Sequence, residues 1–179
     1  MNKVFGNIED FALIKEDASR IVVSYEYEKV DEDNATWYEV YFYKKQVAKP
    51  TISQVKEAVF ADINKQTDEK IVSGFVWNSK PVWLSEENQK NFSEGQRVAQ
   101  MTEGQSLPVK YKLGEDENGE PVYHTFTTLS SITDFYLKGV QYINQTLNEG
   151  WTRKDAIDWQ PYEDALAPVE NEPTENEEA

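Results

Sequence analysis

The sequence predicts an α+β protein, in which an N-terminal antiparallel β-hairpin module precedes a small domain of two β-hairpins and three to four helices. Two runs rich in β-branched and aromatic residues, 21–27 and 36–43, flank a short polar segment. A tight aromatic hairpin follows at 75–83. Helical runs with recognisable capping or apolar periodicity begin near residues 51, 85 and 129. Strands and helices therefore alternate only after an initial β-rich segment.

Charge and composition narrow the classes of function. The 179 residues include 18 basic and 33 acidic side chains, which gives a formal net charge of −15. An acidic surface repels phosphate backbones, so we expect no direct binding to nucleic acid. No apolar run approaches the ~20 residues of a membrane helix, and no signal-peptide pattern is visible, so we expect no membrane contact. The absence of cysteine excludes disulfides and thiolate chemistry.

The N-terminal module, residues 1–50, is predicted to be a β-rich attachment or oligomerisation unit. Residues 1–20 show no clean period and indicate a short strand or turn, whereas 21–27 and 36–43 predict the paired strands of a hairpin. The second strand carries large side chains on both faces, although an antiparallel sheet normally has one wet face. We therefore expect the second face of this strand to be covered in one of three ways: by the rest of the chain, by a second copy or by a partner protein. The candidate interface residues are Trp37, Tyr38, Tyr41 and Tyr43.

A second domain is predicted from residue 51 to 160. Thr51 and Gln54 form a capping box for an amphipathic helix of about four turns, which we expect to dock on the following hairpin. In that hairpin Phe75 and Trp77 alternate on one strand and Trp83 lies on the return strand, so it is expected to nucleate the core.

The rest of this domain is predicted from caps, turns and periodicity. Ser85 caps a largely exposed helix, and residues 107–112 and 121–127 form a second hairpin with an acidic loop. A long helix spans residues 129–149 with Gly150 at its C′ position, and Thr152 then caps a short helix. Both nearby indoles, Trp151 and Trp159, are expected to fold back onto the long helix. Residues 161–179 are predicted to be a disordered acidic tail.

No side-chain cluster predicts catalysis. The single histidine, His124, lies in a strand without the companions that a zinc site or a Ser-His-Asp triad requires. No glycine-rich phosphate-binding loop is present. The acidic 114–120 loop offers oxygen ligands for Ca²⁺, but its spacing differs from the EF-hand pattern and favours a plain hairpin loop. The predicted catalytic residues, metal sites and cofactors are therefore none, and the protein is predicted not to be an enzyme.

The order of elements from Val55 to Trp159, with its Gly-Phe-x-Trp-Asn-x-x-x-x-Trp-Leu hairpin, resembles a small domain of unknown function in tailed-phage proteins. That domain occurs in tail, tail-fibre and fibre-assembly-like polypeptides. The aromatic hairpin motif and a later Pro/Tyr…Phe-Thr segment carry the resemblance, and Ser79 departs from the glycine that the family prefers in the turn. The matching residues are Phe75, Trp77, Trp83, Pro108, Tyr111, Phe126 and Thr127.

The resemblance implies a non-enzymatic structural component of a bacteriophage particle, made in the host cytoplasm and located in the virion. Other virion proteins would be its partners, and a homo-oligomer is a further option. A tail-fibre assembly chaperone in the host cytoplasm is the main alternative. An acidic inhibitor of a nucleic-acid-binding protein and a carbohydrate-binding module with exposed tryptophans are two others.

Overall fold

The computed structural model describes residues 3–167, and its elements are those of an α+β protein, as predicted. Within these residues the chain divides into two compact units, 3–62 with 156–167 and 63–155. The predicted boundary at residue 50 precedes the first helix, whereas the units divide within that helix. The strands are β1 Lys3–Asn7, β2 Ile14–Glu16, β3 Arg20–Lys29, β4 Asn34–Tyr43, β5 Phe75–Trp77, β6 Lys80–Val82, β7 Val109–Glu115 and β8 Pro121–Phe126. The helices are α1 Ile52–Ser73, α2 Glu86–Met101, α3 Leu129–Asp155 and α4 Gln160–Leu166.

The first unit is built on a four-stranded antiparallel sheet with the order β1-β4-β3-β2. The predicted hairpin of residues 21–27 and 36–43 is confirmed as β3 and β4, and the ambiguous first twenty residues supply both edge strands. Tyr25 pairs with Tyr38 across the central strands, and its hydroxyl donates to Asp62 of α1 at 2.6 Å. Val55 and Val59 of α1 are fully buried in this unit. The apolar face of the sheet is thus covered by helix.

The second unit has one aromatic core formed by its strands and helices. Phe75 and Trp77 of β5 are buried there with Phe92, Phe126 and Phe135. The Trp77 and Phe135 ring centroids are 5.2 Å apart, and the Trp77 indole N–H donates to Asp134 at 3.0 Å. The β5–β6 hairpin thus contributes two buried aromatic side chains to the core, and its role in nucleating that core stays a prediction. Trp83, however, lies one residue beyond β6 and is partly exposed.

The turn of the β5–β6 hairpin explains how Ser79 replaces the expected glycine. Asn78 and Ser79 have φ values of 48° and 60°, and positive φ at both central residues defines a type I′ turn. Asn is among the residues that best tolerate this region, whereas Ser carries a steric cost. The two-residue loop therefore forms without glycine.

Helix starts agree with prediction better than helix lengths. The Thr51–Gln54 capping box is present, with Thr51 N–H donating to Gln54 Oε1 at 2.9 Å, and Ser85 caps α2 by accepting from Asn88 N–H. α1 contains 22 residues rather than about four turns. The expected docking of α1 on the β5–β6 hairpin is limited to the end of the helix, where Ile71 joins the core of the second unit. Val55 and Val59, near its start, are buried in the first unit instead.

The predicted end of the long helix at Gly150 is wrong, since α3 continues to Asp155. A Cβ atom at Gly150 would lie 2.5 Å from Thr67 Oγ1, so this glycine permits close helix packing instead of ending the helix. Thr152 is likewise a helix residue, whose hydroxyl donates to the Asn148 carbonyl, and it caps nothing. The two indoles do not fold back as expected. Trp151 is exposed on α3, and Trp159 packs on Phe60 in the first unit.

The predicted disorder from residue 161 is wrong for residues 161–167. α4 occupies this stretch, and Tyr162 is buried with its hydroxyl donating to the Ser24 carbonyl at 2.8 Å. Lys56 on α1 forms an ion pair with Glu163 at 3.1 Å. The remainder of the predicted tail, residues 168–179, lies outside the described residues.

Candidate interaction surface

Strand β4 presents its large side chains alternately to the two faces of the sheet. Trp37, Glu39, Tyr41 and Tyr43 lie on one face, because successive side chains in a strand point in opposite directions. Tyr38 lies on the other face, where its ring stacks on that of Tyr25 with the centroids 5.5 Å apart. The four predicted interface residues are therefore divided between the faces, three on one and one on the other.

Trp37, which the sequence predicts as an interface residue, is instead buried inside the first unit. Only 3% of its surface is accessible. Its ring packs at 5.6 Å from the ring of Phe11, and Gly6 lies so close that an added Cβ would come within 2.8 Å of the indole. The indole N–H donates to Glu39 Oε1 at 3.0 Å. Trp37 thus stabilises the sheet against the segment that follows β1.

Tyr41 is half-buried and is held by charged neighbours. Its hydroxyl donates to Glu39 Oε2 at 2.6 Å, and the Arg20 guanidinium lies 4.8 Å from the ring centroid. The hydrogen bond to Glu39, with burial, raises the pKa of Tyr41 to about 12. Arg20 is itself fixed by Asp17, which accepts from Arg20 Nε at 3.0 Å. A hydrogen bond from the Ser19 backbone N–H, and then one from the Arg20 side chain, lower the pKa of Asp17 well below its usual range.

Tyr43 is the most accessible of the four predicted residues, with 56% of its surface exposed. It pairs directly with Arg20 on β3, so the two side chains lie on the same face as Tyr41. We call this group of Tyr41, Tyr43 and Arg20 the tyrosine face. Two rings with polar tips and one guanidinium are typical of protein-binding surfaces.

Sequence reasoning missed Glu39 and Arg20, which organise the tyrosine face. Glu39 accepts hydrogen bonds from both Trp37 and Tyr41 and so fixes two of the aromatic side chains. The available signal was a single acidic residue in the middle of an aromatic strand, a position where a charge requires a partner. Arg20 gave a weaker signal, because only the strand register brings it to Tyr43.

His124, for which the sequence predicts neither a zinc site nor a catalytic triad, lies beside the aromatic core of the second unit. The His124 ring is 4.9 Å from Trp77 and 4.6 Å from Phe126, and Lys80 Nζ lies 3.0 Å from its Nδ1. Burial, and then the Lys80 charge, lowers the pKa of His124. These contacts give the imidazole a packing role between strands.

The acidic 114–120 segment closes the β7–β8 hairpin. Asp116 uses its carboxylate to accept from the backbone N–H groups of Asn118 and Glu120, both at 2.9 Å. Among residues 3–167, no group of three or more His, Asp or Glu side chains is arranged to hold a metal ion. None of the helices in that range combines the length and apolar content needed to cross a bilayer.

A family model described as "Domain of unknown function (DUF4376)" matches residues 54–172, about two thirds of the chain. The chain belongs to the DUF4376 family. The DUF4376 match contains the region of the aromatic hairpin motif, and its description names neither a phage nor a tail protein. The four-stranded sheet lies before the matched residues. No curated protein and no solved structure matches the chain.

Proposed function

We propose that this protein is a non-enzymatic structural component of a bacteriophage particle, associated with the tail or its fibres. It attaches to a neighbouring virion protein through the tyrosine face. The observation that carries this proposal is the exposure of Tyr43 beside Tyr41 and Arg20 on a sheet that precedes the DUF4376 match.

The domain organisation supports an attachment role for the sheet. The family domain has its own aromatic core, and the sheet of the first unit adds a separate surface to it. Tyrosine and arginine are enriched among the residues that dominate binding energy. Tyrosine buries a large rigid ring at low entropic cost, and arginine offers a planar fork of donors. Attachment by burial of the tyrosine face requires no catalytic group.

The connection to phage tails rests on the resemblance of the 55–159 region to tailed-phage domains. The DUF4376 match over the same region supports the existence of that domain, and the phage assignment is our inference from the motif. Other virion proteins are the proposed partners, and the virion is the proposed location. Nucleic acid and membrane are not among the proposed partners.

Mass spectrometry of purified particles from the encoding phage tests this proposal. A structural component is expected at a fixed copy number relative to the major tail protein. The control is a host cytoplasmic protein of similar abundance, which should be depleted during purification. If this protein is depleted equally while the infected-cell lysate contains it, the structural role is wrong and the assembly-chaperone alternative is favoured.

A further inference from the structure

A small polar cleft opens on the same face of the sheet as Tyr41 and Tyr43. Its volume is ≈ 240 Å³, which is below the range of drug-sized sites and enough for one large side chain. Ser24 and the buried Trp37 line it together with charged residues of the first unit. These charged residues are Asp10, Lys15, Asp17, Arg20 and Glu39.

The Ser24 hydroxyl is the first indication that the cleft binds a ligand. Ser24 is 3% exposed, and its hydroxyl has no hydrogen-bond partner among residues 3–167, although its backbone carbonyl accepts from Tyr162. No fully enclosed side-chain N or O atom in this range lacks a partner, so the Ser24 hydroxyl meets solvent through the cleft that it lines. A hydroxyl held at such a depth is poorly solvated and favours a ligand that hydrogen-bonds with it. Its oxygen can accept from an N–H donor of that ligand.

The charges around the cleft favour a cation. Three carboxylates and two basic groups line it, and Arg20 is engaged by Asp17. Asp10 has an exposed carboxylate without a side-chain partner among the described residues, and Glu39 contributes a further negative charge. Lys15 opposes a cationic ligand, but its side chain is exposed and its charge is screened by water and salt. The net charge of −15 also attracts cations to the protein.

We propose that this cleft binds a single arginine side chain of the partner protein. The inference rests on the proposed function, because it identifies the chemistry of the group that the partner inserts beside the tyrosine face. A guanidinium has five N–H donors in a planar fork, so it can donate to the Asp10 carboxylate and the Ser24 hydroxyl together. Its methylene groups then lie against Ala12 and Val22, two apolar residues that line the cleft.

The test uses the isolated full-length protein and two small probes. N-acetyl-arginine amide is the cationic probe, and N-acetyl-citrulline amide is its neutral isostere. The indole ¹H–¹⁵N resonance of Trp37 reports binding in the cleft. We expect a saturable shift with the arginine probe and none with the citrulline probe at the same concentration.

Variants locate the binding to the cleft. Asp10→Asn and Ser24→Ala should each weaken binding of the arginine probe at least about fivefold, since each removes an acceptor, and Lys15→Met should strengthen it. Glu57→Gln is the matched control for the loss of one negative charge. Glu57 lies exposed on α1, the helix from which Asp62 contacts Tyr25 on the opposite face of the sheet. Its removal should leave the affinity unchanged.

Three results would overturn the inference. These are equal shifts with arginine and citrulline probes, equal losses from Glu57→Gln and Asp10→Asn, or tighter binding of N-acetyl-glutamate amide than of the arginine probe. Thermal unfolding of each variant establishes that it is folded at the assay temperature. Because binding is measured without particles, failure here leaves attachment by the tyrosine face testable, and a negative particle experiment leaves the cleft result standing.

Discussion

The two compact units use aromatic side chains in opposite ways. In the second unit Phe75, Trp77 and Phe135 are buried in one core, and the nearby Asp134 accepts a hydrogen bond from the Trp77 indole. In the first unit the aromatic strand β4 is divided, with Trp37 buried and Tyr43 more than half exposed. Aromatic density by itself therefore does not mark an interaction surface. The feature that we propose as the mark of such a surface is an exposed ring beside an ordered charge, as at Tyr43 and Arg20.

The largest effect is expected from the core of the second unit. Trp77→Ala should lower the free energy of unfolding by about 3–5 kcal/mol, because it removes a buried indole and its hydrogen bond to Asp134. Urea denaturation measures this loss. The control is Val76→Ala in the same strand, where a 61% exposed side chain should cost less than about 0.5 kcal/mol. Similar losses from both variants would show that Trp77 is not a core residue.

A smaller effect is expected where α3 packs closely in the same unit. Gly150→Ala should cost about 1–3 kcal/mol, because the new methyl group meets Thr67 Oγ1. Thr67→Ala should recover much of this loss when the two changes are combined, as measured by a double-mutant cycle in urea. If Gly150 instead ended the helix in a left-handed conformation, the loss would be independent of residue 67.

The third prediction concerns the attachment of α4 in the first unit. Tyr162→Phe should cost about 1 kcal/mol at neutral pH, because it removes the hydrogen bond to the Ser24 carbonyl. Burial, with a contribution from Glu26, raises the pKa of Tyr162 to about 12. An unfolded tyrosine loses its proton near pH 10. Its contribution to stability is therefore complete below about pH 10 and declines as the pH rises towards 12.

Urea unfolding at neutral pH and at about pH 11 tests the alkaline decline. The decline should be smaller in Tyr162→Phe than in the unchanged protein, and a residual decline should remain because the pKa of Tyr41 is also raised to about 12. If Tyr162→Phe had the same free energy of unfolding as the unchanged protein at both pH values, the result would contradict a buried, hydrogen-bonded Tyr162.

Local signals predicted most of the fold. Strand pairs followed from β-branched and aromatic runs, and the caps at Thr51 and Ser85 followed from side chains within three residues of the helix start. The end of α3 could not be predicted in this way. Glycine at position 150 is compatible with either a helix end or a close contact, and Thr67, remote in sequence, decides between them. The α4 segment was missed because residues remote in sequence hold it, through the Tyr162 hydrogen bond to Ser24 and the Lys56–Glu163 ion pair.

The candidate site was predictable only in part. The sequence located the aromatic strand and its alternation, and so placed Tyr41 and Tyr43 on one face. It did not show that Trp37 is buried, because the covering groups, Gly6 and Phe11, belong to a segment without a clear period. The cleft beside Ser24 depends on strand register and on the segment after β1, and neither is visible in a residue pattern.

The most direct test of the account compares two exposed tyrosines during particle assembly. Tyr43→Ala removes the exposed ring of the tyrosine face, and Tyr123→Ala removes a 49% exposed ring from β8 in the second unit. Both should change the stability of the protein by less than about 0.5 kcal/mol. Quantitative mass spectrometry of purified particles should show a copy number reduced at least about tenfold for Tyr43→Ala and unchanged for Tyr123→Ala. Normal incorporation of Tyr43→Ala, or equal losses from both variants, would contradict attachment through the tyrosine face.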